Sequence, residues 1–273
     1  MVLIPGHGAM AQEDKPSPPH VLIVTLAHLD GTHKSTVDFA LERFGMELRR
    51  WNMTYEEGGP ADLNPYTLEN VDVVMFLNTR GDFLTSDQQE SLQEFMQLGG
   101  GFIGTGPASA TETEWTFYHE LVGAMATDSR VPETTNTINF HEEEAVSDGM
   151  ADDWDVNDRW VSFDRDPADS GATVLAWLDS DHPVAWQQHV ERGRSFYTSL
   201  GSAHDTWGER EFGQFLRQAT WWAAGEEPPL RQDSSHSAPN WPYVTAFFFL
   251  VAAVALGGIV AVSRMESRPT SSK

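Results

Sequence analysis

Short apolar runs separated by stretches with helical spacing constrain the fold of this chain more than any other feature. Three of the runs read HVLIVTL at His20–Leu26, VDVVMFL at Val71–Leu77 and GFIG at Gly101–Gly104. Nearly continuous hydrophobicity is typical of parallel strands covered on both faces, because neither face then needs polar residues. The β-α-β-α-β order predicts an α/β fold with a doubly wound, mostly parallel sheet.

The remaining elements are predicted from the same two periodicities. Helices are predicted at Thr36–Phe44, from a cap at Thr85 through Leu98, and at Glu209–Ala224. Further strands are predicted at Glu47–Tyr55, Thr134–Phe140, Ala172–Leu178, Val184–Gln188 and Ser195–Leu200. Of these, Thr134–Phe140 is expected at an edge of the sheet.

Composition divides the chain into five segments. They are a leader with a polar, Pro-rich linker at 1–19, a globular domain at 20–226, a Pro/Ser-rich linker at 227–241, an apolar segment at 242–263 and a short tail at 264–273. The leader contains Ala9-Met10-Ala11 before Gln12, the small-x-small form of a signal-peptidase site, without the basic and apolar regions that normally precede it. We therefore expect a start codon further upstream; a disordered leader is the alternative.

The apolar segment predicts a single membrane-spanning helix. Its core, Val244–Val262, carries no charge, and a helix of that length spans about 28 Å, close to the thickness of a bilayer core. Trp241 and Tyr243 precede it as interfacial aromatics, and basic residues follow it. The positive-inside rule then places the tail in the cytoplasm and the globular domain outside it. A buried core helix is the alternative interpretation.

Charge and cysteine content narrow the function classes. The chain has 41 acidic and 17 basic residues, a formal net charge of -24 and no cysteine. Its 10 Trp and 15 Phe argue against disorder. We therefore interpret the many acidic residues as a solvated protein surface, as in salt adaptation. Such a surface repels phosphates, which argues against nucleic acid as a partner. Without cysteine, disulfides, thiolate catalysis and Cys-ligated metals are excluded.

Polar side chains follow several predicted strands at the edge where parallel sheets hold ligands. The candidates are His33 after the first strand, Arg80 and Asp82 after the third, Gly104, Thr105, Gly106 and Trp115 in the next turn, His182, and His204 with Asp205. Each is also compatible with a plain surface or turn position. The turn lacks the G-x-S-x-G form of a nucleophile elbow, although Gly106 has no side chain to block a ligand. No spacing suggests a metal site, and no cofactor is predicted.

Four longer stretches match the pattern of one known family. They read GGGFIGTGPASATETEWTFYHELVGA, DRWVSF, HPVAWQQHVERGRSFYTSLGSAHDTW and TWWAAG, in that order. Together they resemble the ThuA-like (trehalose-utilisation) family over about residues 20–225. The resemblance implies the flavodoxin-like fold of the class I glutamine amidotransferases and a link to trehalose-like disaccharides and their keto derivatives.

The resemblance also implies roles for single residues. His33 matches a His common after the first strand, and His182 and Trp186 match an HP-[IVL]-A-W motif. Asp158 and Trp160 match a D-E-W/L-Y-like motif whose Glu is Arg159 in this chain.

This chain departs from the family pattern at two positions where many members have a histidine. Many members read G-[IL]-H-[SA]-A after the fourth strand, with the His at the position of the amidotransferase Cys; here that residue is Gly106. Many also read G-L-G-H after the last strand, where this chain has Ser202. Both groups that could bind a ligand or move a proton are therefore replaced.

Two hypotheses follow, since glutamine amidotransfer needs a thiolate. In the first, a membrane-anchored, extracytoplasmic domain binds a small-molecule carbohydrate, or a protein partner, in a partly degenerate pocket. Its ligand-binding residues would be Gly104, Thr105, Gly106, Trp115, Asp158 and Trp186, with a Trp stacking on the sugar. In the second, a carbohydrate-active enzyme uses His33, His182, His204 and Asp205.

Overall fold

A computed structural model describes residues 17–26, 31–127, 131–141, 144–151, 154–178 and 181–226. The predicted linker at 227–241, the apolar segment at 242–263, the tail and most of the leader lie outside these ranges. Within them, no helix combines the length and the hydrophobicity needed to cross a membrane.

The described residues contain one nine-stranded sheet with the order β2-β1-β3-β4-β9-β8-β7-β5-β6. The strands are β1 His20–Val24, β2 Thr54–Gly58, β3 Val73–Leu77, β4 Gly101–Thr105, β5 Glu133–Phe140, β6 Trp154–Arg159, β7 Thr173–Leu178, β8 His182–Val190 and β9 Gly193–Thr198. From β2 to β9 the neighbours are parallel; from β9 to β6 they are antiparallel. The α/β fold is confirmed, but only half of the sheet is parallel.

Helices cover both faces of the sheet, as a doubly wound fold requires. They are α1 Gly31–Arg50, α2 Pro65–Leu68, α3 Ser86–Gln97, α4 Thr116–Val122 and α5 Arg210–Ala223. One core cluster joins the sheet to α1 and α5, and a second joins its other face to α2, α3 and α4. In α1 the buried side chains of Val37, Ala40, Phe44 and Leu48 recur at helical spacing, so this face packs on the sheet.

The predicted strand at Glu47–Tyr55 is wrong in its first part. Helix α1 continues through Arg50, and β2 begins only at Thr54. Leu48 is fully buried one turn after Phe44, so the apolar stripe of the helix extends beyond the predicted end.

The predicted edge position of Thr134–Phe140 is also wrong. This strand, β5, lies between β7 and β6, and β6 forms the edge. Sequence analysis missed β6 because its buried side chains are Trp154, Val156 and Asp158. The third of these is a carboxylate, which conceals the apolar alternation that predicts a strand.

Candidate functional site

The start of α1 and the loops after β3, β4 and β9 meet at the carboxyl edge of the parallel strands. A cavity of about 50 Å³ opens at this edge. Its polar lining residues are His33, Arg80, Arg159 and Ser202, and its apolar ones include Pro107, Ala110 and Val161. The sheet therefore brings the predicted loops together where parallel folds hold ligands.

Gly106 lies beside this cavity, in a left-handed backbone conformation with φ of +55°. Its carbonyl accepts a hydrogen bond from the Tyr197 hydroxyl at 2.7 Å, and its N–H donates to the Leu200 carbonyl at 3.1 Å. A Cβ at this position would lie 2.5 Å from Asn78 Oδ1 and 3.1 Å from Ser202 Oγ. The sequence analysis expected the space beside Gly106 to be open to a ligand. In the structure the side-chain amide of Asn78 occupies it.

Asn78 holds this arrangement together and was not among the residues proposed from the sequence. It is buried, with φ of 52°. Its Nδ2 donates to the Gly201 carbonyl at 2.7 Å, and its Oδ1 accepts from the Thr105 hydroxyl at 3.2 Å. The amide therefore ties the end of β3 to β4 and to the loop after β9. A polar residue directly after a buried strand is the sequence signal that marks it.

Asp158 secures the loop that carries Ser202. Its side chain is fully buried, and its carboxylate accepts four hydrogen bonds of 2.7–2.8 Å from the backbone of Arg159, Gly201 and Ala203 and the hydroxyl of Thr206. Burial raises the pKa of this carboxyl to about 6, against the lowering effect of the four donors. Predicted as a ligand-binding residue, Asp158 makes its described contacts within the protein.

The two tryptophans proposed as stacking partners lie away from the cavity lining. Trp186 is fully buried, and its Nε1 donates to the Val122 carbonyl at 2.7 Å. Trp115 is half-buried, with ring centroids 5.4 Å from Phe117 and 6.3 Å from Tyr118. In this structure Trp186 offers no exposed face to a ligand.

The four candidate catalytic residues do not form one group among the described contacts. His33 lines the cavity. His204 stacks on Phe39 with centroids 4.2 Å apart, and its Nδ1 lies 3.1 Å from Asp205 Oδ1 in a solvent-exposed pair. His182 begins β8, with its ring centroid 6.5 Å from that of Phe163. In the part of the chain that the structure describes, no group of three or more His, Asp or Glu side chains could hold a metal ion.

The acid-rich turn after β4 contains a buried carboxylate, Glu112, that is hydrogen-bonded within the protein. Glu112 is buried with φ of 47°. One carboxylate oxygen accepts from the backbone N–H groups of Phe83 and Leu84 at 2.7 and 2.8 Å, and the other accepts from Gln89 Nε2 at 2.7 Å. These hydrogen bonds join the loop after β3 to the turn after β4, and both segments lie beside the cavity.

A family model described as ThuA, trehalose utilisation, matches residues 20–223. The chain belongs to the ThuA family. The resemblance found in the sequence is thereby confirmed. The two departures from the family pattern are neighbours, because a Cβ at Gly106 would lie 3.1 Å from Ser202 Oγ.

Several solved structures have a similar fold. A ThuA-like protein from Bacteroides uniformis superposes with a TM-score of 0.67 at 16% identity, covering 80% of this chain and 99% of that one. A second, from Parabacteroides merdae, gives 0.64 at 15% identity and covers 77% and 92%. A β-galactosidase from Bacillus circulans sp. alkalophilus gives 0.52 at 15% identity over 77% of this chain and 32% of that one. At these identities the likeness shows the fold alone. No curated protein gave a match to the sequence.

Proposed function

We propose that this ThuA-family domain binds carbohydrate at the carboxyl edge of its parallel strands and performs no covalent catalysis there. The supporting observation is position 106: the resemblance implies a His or Cys there, but this chain has glycine, and a Cβ would lie 2.5 Å from Asn78 Oδ1. The neighbouring hydroxyls are engaged elsewhere: Thr105 bonds to Asn78, and Ser109 bonds to Tyr197 at 2.7 Å. An activated nucleophile needs an adjacent base, and none of these hydroxyls has one among its described partners.

The alternative is a carbohydrate-active enzyme that uses His33, His182, His204 and Asp205. One observation favours it, since His33 and Ser202 line the same cavity. Against it, Ser202 Oγ donates to the Ser199 carbonyl at 3.2 Å, and the His204–Asp205 pair is solvent-exposed. Neither hypothesis includes a cofactor or a nucleic acid.

A calorimetric and thermal-shift titration of the full-length protein with disaccharides, including trehalose and 3-keto derivatives, tests the proposal. A ligand at 100 times its Kd stabilises a protein by about 2.7 kcal/mol, so the melting temperature should rise with concentration. Ala110→Phe, on the cavity wall, should abolish the response. Ala61→Phe, at an exposed position outside the cavity lining, should preserve it.

Two results would contradict the proposal in different ways. A flat response to every sugar would remove the binding hypothesis and favour a protein partner. Conversion of a sugar, detected by NMR of the incubated mixture and lost in His33→Gln, would establish the enzyme instead.

Membrane anchoring belongs to the same proposal and rests on the apolar sequence at 242–263, outside the described residues. Protease added to intact cells should degrade the globular domain, while a tag placed after residue 273 should stay protected. A variant without residues 242–263 should appear in the soluble fraction. Protection of the globular domain in intact cells would contradict the predicted orientation.

A further inference from the structure

The described lining of the cavity at the carboxyl edge contains basic side chains, although the protein as a whole is acidic. The whole chain carries a formal net charge of -24. The titratable side chains among the described lining residues are Arg80, Arg159 and His33, with no carboxylate among them. In a chain with 41 acidic and 17 basic residues, two guanidinium groups at one small cavity depart from the general composition.

Both guanidinium groups have free hydrogen-bonding capacity. Arg80 is exposed and makes no ion pair or side-chain hydrogen bond with any residue that the structure describes. Arg159 contacts Glu133 at 2.7 Å, but the two side chains are 38% and 39% exposed, so the pair is hydrated and weak. An arginine has five N–H donors in a planar fork, and a single carboxylate does not use them all.

Helix α1 starts beside the cavity. His33 lies in its first turn and lines the cavity, and this turn contains no acidic residue. A helix start generally favours negative charge, typically by a few tenths of a kcal/mol to about 1 kcal/mol.

The size of the cavity limits what can enter it. A volume of about 50 Å³ is open to the centres of water-sized spheres, and on this measure one water needs about 10–15 Å³. The cavity therefore has room for a group equivalent to a few waters, such as a carboxylate or a phosphate.

We propose that the cavity recognises the anionic group of a charged carbohydrate, such as the carboxylate of a sugar acid or the phosphate of a sugar phosphate. The sugar body lies at the mouth of the cavity, outside it. Arginine forks match both anions geometrically. The inference rests on the proposed carbohydrate binding and names the ligand class.

Matched neutral and charged ligands test the inference on the full-length protein. Glucose is compared with glucuronate and with glucose 6-phosphate, and inorganic phosphate and acetate serve as anions without a sugar. Calorimetry should show the charged sugars binding about tenfold or more tightly than glucose, in line with charge-assisted hydrogen bonds. This preference should weaken at high ionic strength.

Single substitutions test whether Arg80 and Arg159 cause the preference for charged sugars. Arg80→Gln should reduce the affinity for glucuronate and glucose 6-phosphate about tenfold more than it reduces the affinity for glucose. Arg159→Gln should act in the same direction. Arg192→Gln, a similarly exposed arginine outside the cavity lining, is the control and should bind like the unaltered protein.

The outcomes separate the two proposals. Equal affinity for neutral and charged sugars, or an Arg80→Gln variant that keeps the preference, would overturn the anionic-ligand inference and leave carbohydrate binding intact. Phosphate or acetate binding as tightly as the charged sugars would overturn both proposals and leave a plain anion site. No binding of any ligand would also overturn both.

Discussion

At Gly106, a left-handed backbone coincides with a neighbour that fills the side-chain position. We expect Gly106→Ala to lower the free energy of unfolding by about 3 kcal/mol, because a strain of about 1–2 kcal/mol for the conformation is joined by the collision with Asn78. Gly81 has φ of +75°, but a Cβ added there would meet nothing within 4 Å, so Gly81→Ala isolates the conformational part. Urea unfolding measures both. Equal losses in the two variants would show that the collision is absent.

Asp158 makes stability depend on pH in a direction opposite to that of an ordinary salt-bridged carboxylate. Burial raises its pKa from 3.8 to about 6, so the native state holds the proton more tightly than the unfolded state. The contribution is full below about pH 3.8 and is lost as the pH rises through about 6. A shift of about two units corresponds to about 3 kcal/mol.

Asp158→Asn cannot titrate and therefore measures this contribution. The free energy of unfolding of the unaltered protein, relative to that of the variant, should fall by about 3 kcal/mol from about pH 4 to about pH 7. Asp155→Asn, at an exposed position of the same strand, should show a far smaller change. A difference between the unaltered protein and Asp158→Asn that is independent of pH would contradict the raised pKa.

The roles of single residues were harder to predict from the sequence than the positions of helices and strands. The position of Gly106 at a strand end follows from the apolar run before it, and the structure confirms that location. The use made of the position depends on Asn78, which is 28 residues earlier in the chain and is brought beside Gly106 by the pairing of β3 with β4. In the same way, a Trp in a motif looks alike whether it faces a ligand or, like Trp186, the core.

At the element scale, the start of α3 shows how local signals determine structure. Thr85 Oγ1 accepts from the N–H of Gln88 at 3.4 Å, and Gln88 Oε1 accepts from the N–H of Thr85 at 2.9 Å. This capping box was predicted in part from the sequence Thr85-Ser86-Asp87. Thr85→Ala should lower the free energy of unfolding by about 1 kcal/mol.

The neighbouring Ser86 provides the matched control for the cap. It is exposed at the first helical position and makes no side-chain hydrogen bond with the described residues. Chemical unfolding of Ser86→Ala should therefore give a value within about 0.5 kcal/mol of the unaltered protein. If Thr85→Ala is equally neutral, the cap contributes nothing to stability.

Elements in the parallel half were predictable because both of their faces are apolar. β1, β3 and β4 are uniformly buried apart from the partly exposed first residue of β1, so their apolar runs are continuous in the sequence. The antiparallel half alternates and includes polar buried side chains, as β6 does with Asp158. Its strand order depends on long-range pairing that no local pattern encodes.

At the scale of the whole molecule, the acidic composition leads to a prediction about salt. With 41 acidic and 17 basic residues, like charges repel across the folded surface, and added salt screens that repulsion. The melting temperature should rise as KCl is increased to about 1 M, where the screening length is about 3 Å. Sucrose at matched osmolality separates screening from general solute exclusion. A melting temperature that is flat or falling with KCl would contradict salt adaptation.

The amide of Asn78 also limits how this chain can change over generations. A cysteine or serine acquired at position 106 alone would meet Asn78 Oδ1 before it met any substrate. Loss of Asn78 alone would remove the bonds to Thr105 and Gly201 that join three strand ends. Either single step passes through a less stable sequence, so a reactive group can arise at this turn only by a paired change. Selection acting one substitution at a time therefore tends to keep the turn without a nucleophile.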